Sequence, residues 1–225
     1  MIAKMFAQTL FSFGVMGALL FLSAGTLDWP AAWGFLLGMI VFGLWAGLSL
    51  ARHDPALVKE RTSSLIQKDQ PFADKIFVGT LLVTMMGWLV LIGFDAVRFA
   101  WSHVPLWVQC LGVLLLLVGG WIADRALRQN SFAAAVVKVQ KERAQTVIST
   151  GLYGFVRHPM YFGMMFVLLG IPLLLGSWWG LAVSFILILL FCVRILLEEK
   201  ALRTGLEGYE AYTAQVRYRL IPGIW

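Results

Sequence analysis

The chain has 225 residues, of which 60% are hydrophobic and 13% charged, with mean hydropathy +0.82 and net charge +6. This composition excludes an ordinary water-soluble domain and points to an integral membrane protein. The basic excess reads as membrane topology rather than nucleic-acid binding, because the charges fall in loops between long apolar runs.

Four runs carry no charge: Met5 to Leu27, Trp29 to Ala51, Ile76 to Phe94 and Val104 to Ala123. Each meets the roughly 20 apolar residues that cross a hydrocarbon core. The first exceeds a signal-peptide core of about 7–15 residues and is read as a retained helix. The first two runs form a tight hairpin joined near Asp28-Trp29-Pro30. Gly34/Gly38 and Gly43/Gly47 make G-x-x-x-G pairs in the second run and are read as packing positions. Cys110 and Cys192 lie inside apolar segments and are packing residues.

The polar loop from Arg52 to Lys75 holds Pro55 and Pro71, and its Arg52-His53-Asp54 cluster reads as a solvated helix end. Asp95, Arg98 and His103 sit near the turn between the third and fourth runs and read as interfacial, without a role. Arg52, Lys59, Arg61, Lys68 and Lys75 fall in one loop, and Arg125, Arg128, Lys138, Lys141, Arg143 and Arg157 in another. Arg194, Lys200, Arg203, Arg217 and Arg219 follow near the C-terminus. By the positive-inside rule these regions, and both termini, are cytosolic. The expected fold is all-α: a polytopic bundle of about six transmembrane helices, with residues 1–123 forming an N-terminal four-helix part and 124–225 a second unit.

Phe132 to Ile148 is too polar to span and is expected to lie at the cytosolic interface, partly helical or extended. Ser149-Thr150-Gly151 breaks the pattern and leads into GLYGFVRHPMY, residues 151–161. Pro159 suits the first turn of a helix, and a helix N-terminus favours anions. Two readings stay open for Arg157, His158 and Tyr161: a polar pocket at the bilayer surface, or a snorkelling boundary with a tyrosine anchor. A fifth helix is expected over Pro159 to Leu175 and a sixth over Trp178 to Leu197, joined at Gly176-Ser177. Trp178 and Trp179 fit an interface belt.

So short a connection makes these two helices antiparallel neighbours. It brings Arg194, Glu198 and Glu199 beside Arg157, His158 and Tyr161. Arg194 and Glu198 are spaced to pair on one helix. The tail, with Tyr209-Glu210-Ala-Tyr212 and Arg217-Tyr-Arg219-Leu-Ile-Pro222, reads either as a lid over this mouth or as an amphipathic anchor. No G-x-G-x-x-G, P-loop, H-E-x-x-H or G-x-S-x-G occurs, and three scattered histidines offer no dedicated metal site. What remains is a mouth of both charge signs, suited to a zwitterionic cosubstrate, with an apolar substrate arriving from the bilayer.

GLYGFVRHPMY, an apolar hairpin, EEKAL, GYEAY and RLIP, in that order, resemble the isoprenylcysteine carboxyl methyltransferase family, and are similar to the phospholipid N-methyltransferases. The resemblance covers about Asn130 to Trp225. It implies S-adenosylmethionine as methyl donor. His158, Pro159 and Tyr161 would help hold it, with backbone groups from Gly151, Leu152 and Tyr153 nearby. Glu199, with Glu198 as partner, would meet its amino group or ribose hydroxyls. Arg219 or Arg157 would orient an anionic substrate or the cofactor carboxylate. Asn130 and Tyr212 would contact the acceptor.

Methyl transfer from a sulfonium is an in-line displacement, so placement and desolvation do much of the work. No residue stands out as a general base, which favours a carboxylate or thiolate acceptor on an isoprenoid or lipid over an amine. The resemblance thus implies a membrane methyltransferase with its site facing the cytosol, read here as a prokaryotic plasma-membrane protein. Its partners would be a lipophilic substrate and membrane lipids. A phospholipid amine, a small thiol, or a non-catalytic binding protein of the same fold are the alternatives. A transporter fits less well, because no charge lies deep in a span.

Overall fold

The structure, a computed structural model, describes residues 1–67 and 70–225. Lys68, counted above among the loop charges, lies outside the described residues. Among the described residues eight α-helices follow in chain order: α1 Ile2–Ala24, α2 Pro30–His53, α3 Pro55–Arg61, α4 Phe72–Gly93, α5 Leu106–Gln129, α6 Pro159–Leu175, α7 Trp178–Gly205 and α8 Tyr209–Gln215. The described residues hold no strand.

Proline and glycine punctuate the helices as backbone sterics require. Pro30, Pro55 and Pro159 occupy first-turn positions of α2, α3 and α6, where the missing N–H costs nothing. Gly25 and Gly176 end α1 and α6 in the left-handed region, with φ 75° and 87°. Helix α4 runs into a single π-helical stretch, Phe94–Arg98. Helix α7 runs past the expected end at Leu197 to Gly205, because Glu198 to Arg203 are good helix formers and no breaker intervenes.

Five helices, namely α1, α2, α4 with its π-helical extension, α5 and α7, are long and apolar enough to cross a membrane. Helix α6, expected as a further span, is shorter, at 17 residues. Large apolar side chains such as Phe11, Leu22, Val41, Val83, Leu117 and Leu189 face outward. That outward apolar surface is what a lipid environment requires. The chain is an integral membrane protein.

Helices α5 and α6 are in backbone contact. A Cβ placed on Gly119 would sit 2.5 Å from the Gly163 carbonyl, and one on Gly170 would sit 2.8 Å from the Gly112 carbonyl. Two glycines on each helix, seven residues apart, therefore make the close seam. The pair Gly34/Gly38, expected to pack, faces open space. A G-x-x-x-G spacing does not by itself show which face meets a neighbour. The second pair does pack, Gly43 against Phe13 and Thr9 and Gly47 against Met5.

One core runs through the bundle, joining Leu20 of α1, Trp88 and Ile92 of α4, Leu168 of α6, and Leu187 and Ile195 of α7. The Trp88 indole N–H donates to the Gly180 carbonyl at 2.7 Å. Asp95, read from sequence as interfacial without a role, is wholly buried. Its Oδ2 accepts from Ser102 Oγ, Ser177 Oγ and the Trp179 N–H. Ser177 in turn caps α7 by accepting from the Gly180 N–H. Asp95 thus fastens the end of α4 to the start of α7, far along the chain from the carboxylates that sequence reading singled out.

Candidate functional site

The α6–α7 hairpin brings its two charged ends together at one end of the bundle. The turn Gly151–Gly154 sets the approach to α6. Gly151 has φ +60°, and a Cβ there would strike the Gln129 side chain at 2.5 Å, so both conformation and space call for glycine. Gln129, the last residue of α5, accepts from the Leu152 N–H at 2.9 Å. This clamp buries Tyr153 beneath the turn.

Glu199 is the hub of one cluster. Its Oε1 accepts from Arg157 Nε at 2.6 Å and lies 3.3 Å from His158 Nε2, while Oε2 accepts from Arg219 Nε at 3.0 Å. Arg157 also donates to the carbonyls of Val216 and Arg217. The backbone N–H groups of Arg157 and His158 donate to the carbonyls of Tyr218 and Arg219 at 3.0 and 2.9 Å. The tail is therefore stitched across the start of α6. Two donors that would otherwise favour an anion there are taken by tail carbonyls.

Glu198 belongs to a second cluster. Its Oε2 accepts from the Tyr161 hydroxyl at 2.8 Å, and that hydroxyl accepts from Arg194 Nε at 2.9 Å. The expected direct pairing of Arg194 with Glu198 does not form, because the phenol stands between them. Arg194 instead donates to Asp74 Oδ1 at 3.0 Å and to the Ala135 carbonyl at 2.7 Å. Asp74 Oδ2 accepts from Gln70 Nε2 at 2.6 Å and the Val137 N–H at 3.0 Å. A continuous relay thus runs from α4 through α7 and α6 to Glu198.

The segment 132–148 lies against this relay. Its only regular piece among the described residues is one 3-10 turn, Lys141–Arg143. It is held by its own polar groups: Gln140 Nε2 donates to the Phe132 carbonyl, and Arg143 donates to the Ser131 carbonyl and Gln140 Oε1. Lys138 reaches Glu60 at 2.7 Å, and Arg61 donates to the Ala133 carbonyl at 3.0 Å, tying the segment to α3.

Between this segment, the α6–α7 mouth and the tail is a cavity of about 80 Å³. Of the residues singled out from sequence, Asn130, Tyr153, Arg157, His158, Tyr161, Glu198 and Tyr212 line it. Gly151, Leu152, Pro159, Glu199 and Arg219 do not. Gly151 and Leu152 act through the turn, Pro159 starts the helix, and Glu199 and Arg219 lie in the cluster beside the cavity. Of the two carboxylates, Glu198 faces the cavity, while Glu199 is 3% exposed and consumed by cationic partners.

The tail packs over the mouth. Tyr212 is buried and its hydroxyl donates to the Tyr153 carbonyl at 2.8 Å, closing α8 onto the turn. Burial pushes the Tyr153 phenol up to about 12 and raises Tyr212 as well.

Sequence reading missed Asp74, Gln70 and Arg61, which come from the first half of the chain. Asp74 had a signal: a carboxylate in the first turn of an otherwise apolar helix needs a cationic partner. Arg52-His53-Asp54 is a helix junction rather than part of the site, since Asp54 Oδ1 caps α3 by accepting from the Leu57 N–H.

Residues 107–206 match a family described as phospholipid methyltransferase. Protein-S-isoprenylcysteine O-methyltransferase from Saccharomyces cerevisiae is 34% identical over 133 residues, which is 58% of this chain and 54% of that protein. The chain spans about half the length of this curated relative.

Proposed function

From its similarity to Protein-S-isoprenylcysteine O-methyltransferase over 133 residues, we propose that the chain is a membrane-embedded methyltransferase using S-adenosylmethionine. The observation that carries the reading is the cavity: one side-chain carboxylate, Glu198, among tyrosine rings and a histidine, with its two cations, Arg157 and Lys138, already paired to Glu199 and Glu60, at the polar end of an apolar bundle. A carboxylate beside aromatic faces suits a cation with an apolar body. Bound there, S-adenosylmethionine supplies an electrophilic methyl group on a positively charged sulfur.

The residues fit such a group by their chemistry. Glu198 takes the ammonium, held in place by Tyr161 and the Arg194–Asp74 relay. Tyr153 and His158 wall the site. Arg157 and Glu199 are positioning residues that lock the start of α6 to the tail. Arg219, with its side chain 30% exposed and one edge engaged by Glu199, is placed to orient an anionic acceptor. Asn130 and Tyr212 border the acceptor's approach. Ligand sites of drug size enclose about 300–1,000 Å³. The present 80 Å³ therefore widens on binding, by outward movement of segment 132–148 or the tail.

The acceptor in this reading is a lipophilic carboxylate or thiol, which needs no base to remove a proton. The match to phospholipid methyltransferases supports a second reading, a lipid amine, for which His158 is the nearest base. The remaining parts of the proposal are six spans, with α6 as the sixth, and both termini and the cavity on the cytosolic side. We keep residues 1–123 as the bundle part and 124–225 as the methyltransferase part, and assign the chain to a prokaryotic plasma membrane.

Calorimetric titration of the detergent-purified protein with S-adenosylmethionine tests the cofactor. Saturable binding is expected, with Glu198→Gln weakening it about tenfold or more, the scale of a lost hydrogen bond to a charged group. Absence of binding to well-folded wild-type protein, with membrane lipids present, would move the chain to a non-catalytic binding role.

A further inference from the structure

Three buried side-chain oxygens have no hydrogen-bond partner among the described residues: Glu60 Oε2, Asp95 Oδ1 and the Tyr209 hydroxyl. Two are compensated. Glu60 Oε2 lies 2.7 Å from Lys138 Nζ. The other oxygen of Asp95 accepts three bonds, from Ser102, Ser177 and Trp179. Tyr209 has neither a charge partner nor a second polar atom on its side chain.

Tyr209 is only 4% exposed and lines the cavity that holds Glu198 and His158. Its ring packs with Tyr212 and Val216, against Val147, Leu202 and Leu206. The ring is fixed at the start of α8, where Gly208 takes a left-handed φ of 79° and the Tyr209 N–H donates to the Leu206 carbonyl. Packed in this cluster, the ring cannot turn its hydroxyl to solvent without opening the cluster. A buried hydroxyl without a partner is destabilising, whereas phenylalanine would fill the same space at no such cost. The hydroxyl is therefore a burden on the fold unless something enters the cavity to meet it.

We propose that the Tyr209 hydroxyl is a ligand-binding group, donating a hydrogen bond to an uncharged oxygen or nitrogen acceptor of the bound methyl donor while Glu198 takes the donor's cationic end. This rests on the methyl-donor reading above. Burial, and then the nearby carboxylates of Glu199 and Glu198, keep the phenol protonated, so it donates rather than accepts a charge-assisted bond. Its neighbour Tyr212 is the contrast. That hydroxyl is already used, on the Tyr153 carbonyl, and serves to close the tail.

The test is the same substitution at both positions in the full-length detergent-purified protein. Apparent unfolding temperature is measured without ligand, and affinity for S-adenosylmethionine and S-adenosylhomocysteine by calorimetry. Tyr209→Phe is expected to leave the unfolding temperature equal or higher and to weaken binding of both ligands about threefold to tenfold, the scale of one neutral hydrogen bond. Tyr212→Phe is expected to lower the unfolding temperature. Unchanged affinity in Tyr209→Phe, with wild type binding normally, would overturn the proposal while leaving the methyl-donor reading intact. A lower unfolding temperature for Tyr209→Phe would overturn it too, by showing that the hydroxyl already has a stabilising partner. Wild type that binds neither ligand would take down both.

Discussion

Glu198 and Glu199 are adjacent in sequence and opposite in role, because successive residues on a helix point about 100° apart. Glu199 meets Arg157, His158 and Arg219 in a buried cluster; Glu198 meets Tyr161 at the cavity. Removing Glu199 leaves the Arg157 guanidinium, 6% exposed, without its countercharge. Breaking a buried pair in this way costs about 3–5 kcal/mol. Glu199→Ala is therefore expected to lower the unfolding temperature sharply, and Glu198→Ala, which frees only the Tyr161 hydroxyl, by clearly less, in thermal scans in detergent. Near-equal unfolding temperatures would show that the Glu199 cluster is not a structural clasp. The sequence exposed both carboxylates and the RHPMY segment, because a short hairpin turn forces them together. The resemblance put Glu199 first and Glu198 as its partner, whereas Glu198 is the one that faces the cavity; the difference depends on Arg219, which reaches Glu199 from beyond α7, and on tail carbonyls that hold Arg157 against it. Asp74 was hidden for a related reason: its partner Arg194 is 120 residues away.

At the scale of elements, helix positions were legible wherever proline, glycine or a change in hydrophobic period marks an end. Helix α6 begins at Pro159 and stops at Leu175 as expected. The segment 132–148 was legible only as non-spanning. Its hydrogen bonds run between side chains and irregular backbone, and no periodicity announces such a fold. The tail could be read as lid or anchor, and the Tyr212–Tyr153 bond shows that it packs onto the turn before α6. This closure has a pH limit. A free tyrosine loses its proton near about 10. Tyr153 is held up to about 12, and Tyr209 and Tyr212 are also raised, by burial first. A folded pKa above the unfolded one means that stability is complete below about pH 10 and falls as pH rises toward 12. Between those values the tail should detach, read as protease cleavage near 206–220 appearing together with tyrosinate absorbance. A tail still protected from cleavage above pH 12 would contradict this.

Across the whole molecule, the two halves of the chain are joined at both ends of the bundle. Trp88 binds the Gly180 carbonyl and Asp95 holds Ser177 at one end; Asp74 holds Arg194 at the other. The first helices are thus part of the scaffold that sets Glu198, and Asp74→Ala is expected to expose segment 132–148 to protease while leaving α1 to α2 protected. Protection of 132–148 equal to wild type would remove Asp74 from that scaffold. The shortness of the α6–α7 hairpin has a further effect. Helix α6 has 17 residues, about 26 Å, and α7 meets its first charge at Arg194, after a similar length. A bilayer core is about 30 Å thick. In the six-span arrangement the lipid must therefore thin around this hairpin, or the cavity must sit recessed below the headgroups, at a fraction of a kcal/mol per Å of mismatch. On the proposed function, methyl transfer by reconstituted protein is expected to slow in long-chain bilayers, which bury the mouth, and to quicken in short-chain bilayers, which lift it to the surface.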